Sequence, residues 1–259
     1  MDDATRVLKL WAQRADRAVI FDFNGTLSDD EPVLLRIFAE LFDEHLGWRL
    51  APEVYASELA GLSDREIIER VVGEHAPGQP GLVETMLERR RLRYRELVRT
   101  DPPVRDDTRA LLRRLRAGGV PMAVVTGAQR ADVDLVLAHG GVAQVFAGVV
   151  TVEDVAHGKP HPEGFLTGAR VLGVDPAAVL VFEDTVAGAR GATAAGMRVI
   201  GVEGGGSPSR DLAAAADAVV AALCPSLLDE VPGWSAPNPR LHGDARAVGA
   251  EEVESVLDR

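Results

Sequence analysis

Four polar side chains sit where short apolar runs end, a lysine stands in a loop that can join them, and their types suit chemistry on a phosphate-like anion. Ala18-Val-Ile-Phe-Asp-Phe23 reads as a buried strand and leads into Asp22-Phe-Asn24-Gly-Thr26. The run Val120 to Val125 leads into Thr126-Gly127, and Val179 to Phe182 leads into Glu183 and Asp184. Lys159 stands in Gly158-Lys-Pro-His-Pro162. Each has an ordinary explanation alone. A lone acid at a strand end is usually a turn residue or helix cap, Thr126-Gly127 fits a strand-to-helix turn, and Glu183 and Asp184 could cap the next helix. Together the ordinary explanations are poor. Adjacent carboxylates repel and raise each other's pKa, so a pair beside a third acid implies a bound cation.

These residues can meet only if the strands lie parallel with their carboxyl ends on one edge, where ligands of open α/β sheets bind. The pattern supports that arrangement. After Asp101-Pro-Pro103, helices and short apolar strands alternate: helix from Asp106 or Asp107 to Gly118-Gly119, strand Val120 to Thr126, helix Arg130 to His139, strand Val145 to Thr151. Then follow helix Pro162 to Leu172, strand Val179 to Phe182, helix Ala187 to Ala195, strand Arg198 to Val202 and an edge strand Ala218 to Val220. Such alternation predicts a doubly wound parallel sheet covered on both faces. Residues 3–16 have helical spacing. Between Glu31 and Thr100 the patterns are helical throughout, with one stripe through Val33, Leu34, Ile37, Phe38, Leu41 and Phe42. Ser63-Asp-Arg-Glu66 fits a capping box, and residues 82–99 form an Arg-rich helix in which Arg89 to Arg95 read as an exposed face. This block looks like an insertion after the first strand. The expected division is a core of 1–27 and 102–230, a helical insertion of 28–101, and a loosely attached extension of 231–259, where Pro232, Gly233, Pro237 and Pro239 break any pattern.

Composition narrows the partners. The formal net charge of −12 disfavours a nucleic-acid or anionic-membrane surface, while a local cluster of N–H donors and a cation can still hold a small anion. Cys224 is the only cysteine, which suits a reducing compartment, and no apolar stretch approaches the length of a membrane span. The expectation is a cytoplasmic monomer or homodimer. Only Lys9 and Lys159 are lysines, against 26 arginines, so a lysine that remains amid such bias can be needed as one.

Four segments in order resemble the motifs of the haloacid dehalogenase (HAD) superfamily, in its branch with a helical cap: Phe21-Asp-Phe-Asn-Gly-Thr-Leu27, Val124-Val-Thr-Gly127, Gly158-Lys-Pro-His-Pro162, and Phe182-Glu-Asp-Thr-Val-Ala-Gly188 with Ala195-Gly-Met197. The resemblance covers about residues 16–228 and implies a Rossmann-like core and phosphohydrolase activity on a small phosphorylated metabolite. By that resemblance Asp22 is the nucleophile, forming an aspartyl-phosphate. Mg²⁺ binds Asp22, the main-chain carbonyl of Asn24, Asp184 and Glu183. Thr126 and the backbone at Gly127 hold the phosphoryl group, and Lys159 screens the nucleophile and stabilises developing charge.

Position 24 departs from the pattern, because HAD phosphatases carry there an aspartate that protonates the leaving oxygen and then activates water. Asparagine keeps the shape and the carbonyl but transfers no proton. Acid–base help of this kind contributes roughly 10²–10⁴-fold. Three explanations are open: a native site with a suited substrate or substitute base, an attenuated homologue that binds without efficient turnover, or an engineered trapping change. Other HAD chemistries fit less well. Phosphonoacetaldehyde hydrolysis needs a cap lysine, and residues 28–101 contain none. Haloacid dehalogenation leaves the Glu183–Asp184 pair without purpose, and a mutase needs the missing aspartate. Gly61-Leu-Ser-Asp-Arg65 corresponds to the cap's specificity loop, where Arg65 could reach a second anionic group of the substrate. His157 and His161, flanking Lys159, read as loop residues.

Overall fold

The central strands form because four- and five-residue, mostly apolar runs are buried on both faces, while the two edge strands are three residues long and partly exposed. The computed structural model describes residues 2–59, 62–204, 206–232 and 234. Helix α1 (Asp3–Ala12) is capped by the Asp2 carboxylate and precedes β1 (Ala18–Phe21). Next come α2 (Glu31–Leu46), α3 (Pro52–Val54) running into a π-helical turn Tyr55–Leu59, α4 (Asp64–His75) and α5 (Pro80–Thr100). The remainder alternates: α6 (Asp106–Ala117), β2 (Met122–Val125), α7 (Arg130–His139), β3 (Gly148–Val150), α8 (Glu163–Leu172), β4 (Val179–Glu183), α9 (Val186–Ala194), β5 (Arg198–Val202), α10 (Ser209–Ala213) and β6 (Ala218–Val220).

All six strands are parallel, in the order β3-β2-β1-β4-β5-β6. Alternate residues divide the core in two, as the period of a strand requires. Val19, Phe21, Val124 and Phe182 face the side of α1 and the helical insertion, whereas Ala18, Ile20, Val125 and Val181 face Phe165 and Ala192. β1 and β4 are central and adjacent, so Asp22, Glu183 and Asp184 leave the sheet side by side. The doubly wound α/β architecture is as expected from the sequence, and no strand occurs among the described residues from Glu31 to Thr100.

Three boundaries differ from the sequence reading. The cap position of α6 is Arg105, with Asp106 and Asp107 inside the first turn, where the helix dipole favours them without a side-chain cap. The strand expected from Val145 shortens to Gly148–Val150 behind a 3₁₀ turn at Ala143–Val145. The extension is attached at its start: Val231 and Trp234 are buried. The Trp234 ring stacks on Trp11 at 5.6 Å, Arg17 lies over it at 5.1 Å, and Arg114 donates to its carbonyl at 2.7 Å. Gly233 and residues 235–259, which include Pro237 and Pro239, lie outside the described residues. Trp234→Ala is expected to cost about 3–5 kcal/mol in denaturant unfolding, the range for deleting a buried Trp. A change under about 1 kcal/mol would mean that the stack is marginal to the fold.

Candidate active site

Backbone geometry brings the strand-end residues to one point. The Asp22 N–H donates to the Phe182 carbonyl at 2.9 Å, carrying the β1–β4 pairing one residue past the strand. The chain then turns sharply, with the N–H groups of Leu27 and Ser28 on the Phe23 carbonyl and Gly25 N–H on that of Ser28 at 2.8 Å. Gly25 has φ +74°, and a Cβ there would lie 2.1 Å from Asp184 Oδ2. Only glycine allows this loop to pass so close to the carboxylate.

Lys159 Nζ contacts both Asp22 Oδ1 and Glu183 Oε1. Glu183 is fully buried, and its other oxygen accepts the Thr185 N–H at 2.6 Å and hydroxyl at 2.8 Å. Asp184 Oδ2 accepts the Gly206 N–H at 3.0 Å. On the next strand the Thr126 N–H is bound to Val150, and its buried hydroxyl accepts from Ala128 N–H at 3.0 Å. The Lys159 loop is braced by Glu163, which accepts from the N–H groups of Ala156 and His157, each at 3.0 Å. His157 and His161 belong to that exposed bracing.

Burial dominates the electrostatics. Desolvation pushes the Asp22 carboxyl up to about 6, against the lowering effect of Lys159. It pushes Asp184 up to about 8, helped by the nearby Asp22 and Glu183 charges. Burial opposes the Lys159 charge, but the two carboxylates outweigh it and hold its pKa above the ordinary value.

Asp22, Glu183 and Asp184 each offer an oxygen, all within 4.8 Å of one another. A donor set of buried oxygens fits a hard cation such as Mg²⁺. A consequence for stability follows. Asp22 and Asp184 retain protons in the folded state that they would release near pH 4 when unfolded, so without metal they make stability fall as pH rises from about 4 towards 8. Mg²⁺ needs the ionised carboxylates. Added MgCl₂ is therefore expected to raise the melting temperature by several degrees at pH 8 and little at pH 5. Equal shifts at both values would contradict the site.

The model of the family described as haloacid dehalogenase-like hydrolase matches residues 17–196. The chain belongs to this family. It is similar to the fructose-1-phosphate phosphatase YqaB of Escherichia coli, at 32% identity over 71% of this chain and 95% of the relative. It is also similar to Protein CbbY of Rhodobacter capsulatus, at 30% identity over 71% of this chain and 84% of the relative. Among solved structures, a putative β-phosphoglucomutase from Thermotoga maritima superposes with a TM-score of 0.71 over 82% of this chain and 97% of that one, at 24% identity, a likeness of fold.

In this HAD chain the helical insertion forms one wall of an open cavity of about 690 Å³ over the strand ends. Asp22, Asn24, Thr126, Gly127, Lys159 and Asp184 line the core side, and Ser63, Asp64, Arg65, Arg90 and Tyr94 the insertion side. The expected capping box at Ser63 and Glu66 is present. Gly61 of the same loop lies outside the described residues. Arg65 lines the cavity but is half-exposed and paired with Glu84 at 2.8 Å and Glu69 at 3.2 Å. The reading of Arg89 to Arg95 as an exposed face fails at Arg90, which is 8% exposed, 2.9 Å from Asp64, with its guanidinium 4.8 Å from the Tyr94 ring centre. The signal lay in the helical spacing. Met86, Arg90, Tyr94 and Val98 recur every four residues and all are buried, so Arg90 occupies the apolar stripe of α5. Asp30, in the turn between β1 and α2, also lines the cavity, and burial raises its pKa.

Proposed function

We propose that this chain is a Mg²⁺-dependent HAD phosphatase acting on a small phosphorylated metabolite through an aspartyl-phosphate on Asp22. The observation that carries this reading is the buried Asp22 beside Lys159 and Asp184 at the floor of a cavity of metabolite size. Relatives named as phosphatases of fructose 1-phosphate and hexitol phosphates support a substrate of that size.

The Asp22 oxygen attacks phosphorus as the bond to the leaving oxygen breaks, and water later hydrolyses the aspartyl-phosphate. Lys159 screens Asp22 from the incoming dianion and takes up developing charge on the phosphoryl oxygens. Thr126 and the N–H groups around Gly127 hold those oxygens on the opposite side. Asp22, the Asn24 carbonyl and Asp184 would hold Mg²⁺; Glu183, expected from the sequence as a further ligand, has one oxygen on Lys159 and the other on Thr185, so in this reading it fixes the lysine instead. The bound ion would supply charge neutralisation at the transferring group. The insertion acts as a cap that excludes water. Arg90, buried in the cavity wall, is better placed than Arg65 to read a second polar group of the substrate.

The test is a panel of acetyl phosphate, p-nitrophenyl phosphate and sugar phosphates, assayed with and without Mg²⁺. Metal-dependent release of phosphate is the expected result. Asn24 favours a second reading, a homologue that binds phosphorylated ligands without efficient turnover. Ligand-induced stabilisation with no release across the whole panel would establish it.

A further inference from the structure

Asn24 is exposed to the cavity, yet its amide is not free to turn. Its Nδ2 donates to Asp30 Oδ2. The other oxygen of the same carboxylate accepts the Ser28 hydroxyl at 2.5 Å and the Tyr94 hydroxyl at 2.9 Å. Asp30 is 2% exposed, Ser28 fully buried and Tyr94 2% exposed, so three donors from the loop after β1, the segment before α2, and α5 replace water around one carboxylate. The amide of Asn24 thus turns its nitrogen to a carboxylate whose other oxygen already accepts two hydroxyls. The amide is planar, which leaves Oδ1 on the side away from Asp30. Among the described residues no donor holds that oxygen.

We propose that Asp30 is a positioning residue that turns the amide oxygen of Asn24 into the cavity, and that the site thereby suits acyl phosphates, whose leaving group departs without a proton. The proposal rests on the phosphohydrolase reading and names its substrate class. An outward-facing oxygen offers no hydrogen bond to a departing alkoxide, and its lone pairs oppose the charge developing there. It is no obstacle to a departing carboxylate, a stable anion whose conjugate acid has a pKa of about 4. Asp22 forms its bond to phosphorus as the acyl oxygen leaves with the electron pair of the broken P–O bond. Water then adds to phosphorus while donating a hydrogen bond to Asn24 Oδ1. The bond to Asp22 breaks, its carboxylate is restored, and both water protons leave on dihydrogen phosphate.

The test compares acetyl phosphate with glycerol 2-phosphate on four proteins: native, Asp30→Asn, Asn24→Asp, and the reciprocal pair Asn24→Asp/Asp30→Asn. Asp22→Ala serves as the control. The native protein should prefer acetyl phosphate in kcat/KM by about 10²-fold or more, the scale of lost acid catalysis. Asp30→Asn frees the Asn24 amide to present its nitrogen, so this preference should shrink. In Asn24→Asp two carboxylates face each other where one hydrogen bond stood, so the melting temperature should fall and the gain on the alkyl phosphate should stay small. The reciprocal pair remakes that hydrogen bond with donor and acceptor exchanged. It should recover the melting temperature and raise alkyl turnover by about 10²-fold. If Asn24→Asp alone matches the pair in rate and melting temperature, or Asp30→Asn leaves the substrate preference unchanged, Asp30 does not position Asn24. If neither phosphate is turned over, or turnover persists in Asp22→Ala, the phosphohydrolase reading fails and the proposal falls with it.

Discussion

Asp22→Ala is expected to lower kcat/KM on any phosphate ester by about 10⁴–10⁶-fold, the scale of removing a nucleophile from a site whose other groups remain. The chain should stay folded. Asp22 is a buried carboxylate whose charge is disfavoured by desolvation, and its loss leaves Lys159 paired with Glu183. At neutral pH without metal the variant should therefore unfold no more easily than the native protein. This combination, full structure with no turnover, separates a nucleophile from a residue needed only for folding. Initial rates with acetyl phosphate and p-nitrophenyl phosphate, beside thermal denaturation, measure both halves. Turnover within tenfold of native would exclude an aspartyl-phosphate at position 22.

The fold was legible because its strands are short, mostly apolar and separated by helical periods. Ala18–Phe21 and Val179–Glu183 are buried on both sides, so nothing in them competes with the strand reading. The site was legible because Asp22, Thr126, Glu183 and Asp184 lie at strand ends and Lys159 in a short motif before α8, and all line one cavity. What the sequence hid depends on contacts between elements far apart in the chain. Asp30 looked like one acid in a polar run, and only the approach of Tyr94 from α5 makes it a buried acceptor. Gly206 showed no function until its N–H reached Asp184. Trp234 stood among prolines and glycines that argued for a loose tail, yet an exposed Trp11 face would have been the alternative to covering it. Arg90 was hidden by its neighbours, since a run of arginines reads as a solvated face unless the stripe is counted. An Asn-Gly pair is chemically prone to deamidation, by attack of the following backbone nitrogen on the side-chain amide. In the fold the Gly25 nitrogen that would attack is engaged with the Ser28 carbonyl, and the Asn24 amide with Asp30. Asparagine at this position is thus protected by the same turn that displays it.

Lys159→Met is the substitution expected to damage stability and chemistry together. The ammonium is the bridge between Asp22 and Glu183, and Glu183 is fully buried. Removing one member of a buried ionic cluster leaves uncompensated charge, a loss of about 3–5 kcal/mol. In a chain of this size that corresponds to about 10 °C or more in melting temperature. The sign of its pH dependence follows from Asp22. Its carboxyl is already held up near 6 despite Lys159, and without the ammonium it is held higher still, so the variant's deficit should be smallest near pH 5 and grow towards pH 8. Lys159→Arg keeps the charge but not the compact shape that fits between two carboxylates, so it should recover stability only in part. The double variant Lys159→Met/Glu183→Gln decides how much of the damage is structural. Neutralising the buried partner should return most of the lost stability while turnover stays low, because no cation then screens Asp22 from the phosphate. If the double variant regains activity along with stability, Lys159 serves only to hold Glu183, and the charge that draws the phosphate onto Asp22 must come from elsewhere in the site.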